Sequence, residues 1–75
     1  MRYSKSKYPV GAEWEGKENS KIARIWLAEE SGYGWEIWRW SVMYDDASGG
    51  KFDWATSYNA CKRHMPFYGR MKRVR

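Results

Sequence analysis

Seventy-five residues with a net charge of +5 make one small domain, and a core of this size is marginal unless its side chains are large. Cys61 is the single cysteine and His64 the single histidine, which excludes an internal disulfide and a Cys/His zinc site within one chain. Six Trp, six Tyr and two Phe supply the core mass that length denies.

Residues 1–19 read as a largely irregular arm carrying Tyr3, Tyr8 and Trp14, with a short strand at 12–15 as an option. Lys21–Glu29 leaves helix and strand both open. A helix would group Ile22, Ile25 and Trp26 behind a Ser20 cap, yet Lys21 and Glu29–Glu30 would both oppose its dipole. A strand would turn Ala23, Ile25 and Leu27 to one side and is the better fit. Ser31-Gly32-Tyr33-Gly34 is a turn.

Trp35–Tyr44 is the clearest strand. Trp38, Trp40 and Val42 mark its core face, while Trp35 falls on the other. Asp45–Gly50 is a hairpin loop, and Lys51–Ala55 is a third strand with Phe52 and Trp54. Thr56 or Ser57 caps a helix over 57–65 that lines up Tyr58, Cys61 and Met65, and Pro66 ends it. The expectation is an α+β fold: a small three-stranded antiparallel sheet with one C-terminal helix packed on one face. This compact unit covers 20–65, and residues 66–75 form a basic tail or an edge strand. The core candidates are Ile25, Trp38, Trp40, Val42, Trp54, Tyr58 and Cys61. All precede Pro66, so the tail is expected to be dispensable for folding.

The charge is unevenly placed. All nine acids precede Thr56, whereas the last nineteen residues carry Lys62, Arg63, Arg70, Lys72, Arg73 and Arg75 with no acid among them. Such a segment meets a polyanion or an acidic protein surface. In FYGRMKRVR the cations alternate with Phe67 and Tyr68, a pattern that suits phosphate neutralisation beside base stacking. The expected contact residues are Lys62, Arg63, Phe67, Tyr68, Arg70, Lys72, Arg73, Arg75 and Trp35.

Nothing in the chain carries catalysis. Cys61 and His64 lack a third orienting group, and Asp45, Asp46 and Asp53 lack the spacing of a calcium loop. No enzyme, cofactor or metal is expected. No run reaches the roughly 18 apolar residues of a membrane span, and Arg2, Lys5 and Lys7 precede no signal-like apolar run. With a single thiol, this points to a cytoplasmic protein without a membrane partner.

Two resemblances add to this reading. WEIWRWSV followed by FDWATSYNACKRH resembles small phage and mobile-element proteins with a three-stranded sheet and a helix. These include inhibitors of host defence, such as anti-CRISPR proteins, and small DNA-binding regulators. SKIARIW and MYDDASGGK resemble the small archaeal SH3-like chromatin proteins at Ser20, Lys21, Ile22, Trp26, Tyr44, Asp45, Asp46, Gly50 and Lys51. That resemblance implies a sheet tryptophan, here Trp26, that helps to read the DNA minor groove. The insert ESGYGWEIW and the additional tryptophans depart from that family. The first expectation is therefore a nucleic-acid-binding accessory or regulatory protein using the basic segment and exposed aromatics. The second is an inhibitor or adaptor that docks on an acidic or nucleic-acid-binding protein. A second copy of the chain is a further candidate partner.

Overall fold

In the computed structural model, which describes residues 8–30, 33–46 and 49–75, five strands and one helix follow one another along the chain. They are β1 (Glu13–Glu18), β2 (Lys21–Glu30), β3 (Glu36–Tyr44), β4 (Gly50–Ala55), α1 (Tyr58–His64) and β5 (Lys72–Arg73). The strands form one antiparallel sheet in the order β4-β3-β2-β1-β5. The α+β class holds, but the sheet has five strands rather than three.

The two additional strands come from the expected arm and the expected tail. Glu13–Glu18 pairs with β2 across a tight turn at Asn19 and Ser20, both with positive φ (46° and 67°). That backbone matches the twist of a two-residue hairpin. Ser20 is thus a turn residue, not a helix cap, and Lys21–Glu30 is a strand. Polar residues hide β1 in the sequence, because Trp14 is its single large apolar side chain. At the other end, Lys72 and Arg73 pair with Glu15 and Trp14, which makes the tail an edge strand.

The helix follows the expected chemistry. Ser57 caps it, its Oγ accepting from the Ala60 N–H at 3.1 Å. Lys62, Arg63 and His64 lie in its last turn, where they favour the dipole. Met65 leaves the helix in an extended conformation just before Pro66.

The core lies between one sheet face and the helix with the segment after it. Ala23, Ile25 and Leu27 of β2 meet Trp38, Trp40 and Val42 of β3 under Cys61, Met65 and Phe67. Glu36 is buried on the same face and accepts from the Trp38 indole N–H at 3.1 Å.

Two expectations fail here. Trp54 is not core, since its partner in register is Arg39, on the opposite face from Trp38 and Trp40. Phe67 lies after Pro66, yet it is among the most buried residues, at 1% exposure. Gly16 makes room for it. A Cβ at Gly16 would lie 2.8 Å from the Phe67 ring and 2.7 Å from the Arg70 carbonyl oxygen. Buried tail residues mean that the helix and 20–56 alone do not close the core.

Candidate functional site

The second face of the sheet carries no helix, and its composition follows directly from the register. Residues directly opposite each other share a face. One row therefore holds Glu13, Trp26, Arg39 and Trp54; the next holds Glu15, Arg24, Ser41 and Phe52. A third holds Lys17, Ile22, Met43 and Gly50. Phe52 is 81% exposed, Trp54 55%, and Met43 is also exposed. Trp26 and Ile22 are half-buried between their neighbours. A shallow hollow of about 190 Å³ opens here, lined by Ile22, Arg24, Ser41, Met43, Tyr44 and Asp45.

Strand β4 is inverted relative to the usual rule. Its alternation of Lys51, Phe52, Asp53 and Trp54 would ordinarily turn the aromatics toward the core. Instead Lys51 and Asp53 pair with the core residues Val42 and Trp40, and both aromatics face outward. Charges on this face are mixed. Arg39 lies between Trp26 and Trp54, whereas Arg24 pairs with Glu15, Nε to Oε2 at 3.3 Å.

The basic segment is spread over the far edge and the end of the helix. Arg63, Arg70, Lys72 and Arg75 are exposed, and Tyr68 is 91% exposed. Lys62 has structural work, donating to the Gly69 carbonyl at 3.3 Å and lying 5.3 Å above the Phe67 ring. Arg73 sits over the rings of Tyr8 and Trp14, at 5.1 and 5.6 Å. The sheet also brings acids to this segment that its own sequence lacks. Lys72 lies opposite Glu15, and Val74 bonds to the Glu13 backbone.

Of the expected contact residues, Phe67 is excluded as a stacking platform by its burial. Trp35 is half-buried and stacks on Tyr33, the rings 5.5 Å apart and tilted by 25°. The basic residues do not converge with the exposed aromatics of β4. β4 and β5 are opposite edges of the sheet, four strand steps of about 4.8 Å apart. Sequence reading passed over Phe52, Trp54 and Arg39 as contact residues. The two rings in β4 were the available signal, but Trp54 was expected in the core and Phe52 was given no role beyond the strand.

A second cluster lies on the helix side. The Tyr8 and Trp14 rings meet edge to face at 4.8 Å, and Trp14 meets Tyr58 at 5.2 Å. Trp38 underlies them, 5.7 Å from Trp14 and 6.1 Å from Tyr58. Burial, and secondarily the neighbouring Tyr8 phenol, raises the Tyr58 pKa, so the Tyr58 phenol is neutral at pH 7. Cys61 is buried and its thiol is pushed up to about 12, first by burial and then by Asp53, which makes it an inert core group.

Among the described residues no group of three or more His, Cys, Asp or Glu is placed to hold a metal, and no helix is long and apolar enough to cross a membrane. No family model, curated protein or solved structure matches the chain.

Proposed function

We propose that this protein is a small nucleic-acid-binding accessory or regulatory protein whose contact surface is the uncovered sheet face. Bases stack on Phe52 and Trp54. Arg39, and beyond it the exposed cations of the C-terminal segment, meet phosphates. The observation that carries this reading is the inversion of β4. A strand with a core beside it exposes its two aromatics and leaves its polar residues on the core side. Burial does not explain that arrangement, whereas a ligand that stacks on flat apolar rings does. The resemblance to the archaeal chromatin proteins supports the same face, because Trp26 lies there beside Arg39.

The test is titration of labelled single-stranded DNA, duplex DNA and RNA at two salt concentrations, with the wild type and a Phe52→Ala/Trp54→Ala variant. Each stacked base is worth about 1–3 kcal/mol, so the double variant should bind at least tenfold more weakly while its melting temperature holds. Equal affinity for both proteins would overturn the reading.

A second reading has its own observation. Glu13 and Glu15 share the uncovered face and Glu15 already holds Arg24, so one side of the surface does not welcome phosphates. Mixed charge around Ile22, Trp26 and Met43 suits a protein partner, as an inhibitor or adaptor requires. Absence of any nucleic-acid binding at low salt would favour it.

A further inference from the structure

The aromatic cluster on the helix side borders an open cavity of about 350 Å³, lined by Tyr8, Trp14, Tyr58, Asn59 and Met71. We infer that this cavity is a pocket for a single unstacked nucleobase, with Arg73 at its mouth for the attached phosphate. The inference rests on the nucleic-acid reading for its ligand class, but it places the contact on the opposite side of the sheet from Phe52 and Trp54.

Four observations carry it. The rings do not stack on one another: Tyr8 and Trp14 are inclined by 84° and Trp14 and Tyr58 by 62°, which forms a corner of flat walls. With the Met71 side chain, those walls suit a planar, weakly polar body. Asn59, in the first turn of α1, lines the same cavity with a side chain that both donates and accepts, matching the polar edge of a base. Arg73 lies over the Tyr8 and Trp14 rings, so a cation already stands beside the walls and no carboxylate lines them. That arrangement repels an organic cation, the other usual guest of aromatic corners, and attracts a ligand carrying an anion. The volume falls at the lower end of the range for small-molecule sites, about 300–1,000 Å³.

The test uses the full chain with the four nucleoside monophosphates and follows the Trp14 indole and Asn59 side-chain amide resonances by NMR. The expected result is a saturable shift at both positions with at least one nucleotide at millimolar concentration. The affinity read from these shifts should fall at least fivefold in Asn59→Ala and in Arg73→Gln. Tyr58 also packs on the core, so the exposed residues Asn59 and Arg73 carry the test. Two results would overturn the pocket: no saturable shift with any nucleotide, or binding indifferent to both Asn59→Ala and Arg73→Gln. The two proposals separate cleanly. Loss of oligonucleotide affinity in Phe52→Ala/Trp54→Ala alone supports the sheet face, and loss of mononucleotide affinity in Asn59→Ala alone supports the pocket.

Discussion

Single side chains decide where stability sits. Trp40 is buried in the core, whereas Trp35 on the same stretch of chain is half-exposed and leans on Tyr33. Trp40→Ala should cost about 3–5 kcal/mol, enough to unfold a domain of this size. Trp35→Ala should cost clearly less, and chemical denaturation of the two variants checks the order. Cys61 tests the core through pH. Its thiol titrates near 9.0 when the chain is unfolded and near 12 when folded. As pH rises past 9, the unfolded chain loses a proton that the folded one keeps, so stability is full below pH 9 and declines toward pH 12. Cys61→Ala should flatten that decline, read as the dependence of melting temperature on pH. Parallel slopes for wild type and variant would show that the thiol is not buried as described.

At the scale of elements, the chain after Pro66 belongs to the fold. Phe67 fills the space left by Gly16, Met71 packs on the core, and β5 closes the edge beside β1. Truncation after Met65 should therefore abolish the cooperative melt, where the sequence alone suggested survival. Phe67→Ala in the full chain should cost about 3–5 kcal/mol and separates the packing contribution from that of the edge strand. A truncated chain that still melts cooperatively would show that strands β1 to β4 and the helix suffice.

For the whole molecule, the arrangement of charge sets the expected response to salt. The exposed aromatics and the basic segment occupy opposite edges of the sheet, and Glu13 and Glu15 lie between them. A nucleic acid that reaches both must cross the sheet face. The log–log slope of affinity against salt is about −0.7 to −0.9 per phosphate neutralised. Arg70→Ala with Lys72→Ala should flatten it by about two contacts if the ligand spans the sheet. An unchanged slope would confine the ligand to the β3–β4 side, around Arg39. Measuring affinity across a salt series for both proteins distinguishes these footprints.

Local chemistry was enough to determine the class of fold and much of its interior. Trp38, Trp40 and Val42 on one side of β3, Ala23, Ile25 and Leu27 on one side of β2, and the capped helix ending at Pro66 were all legible. Each rests on a periodicity or a capping group that acts within a few residues. Three features required the tertiary structure. A polar β1 becomes a strand because β2 offers it a hydrogen-bonding edge, not because its own side chains prefer one. Phe67 is buried because Gly16, distant in sequence, leaves a space of the right shape. Phe52 and Trp54 face outward because the register of β4 against β3 assigns its faces, and a register is a property of two strands rather than of either one. The candidate site lies on that last feature, which is why the sequence placed Trp54 in the core and named neither Phe52 nor Arg39 as a contact.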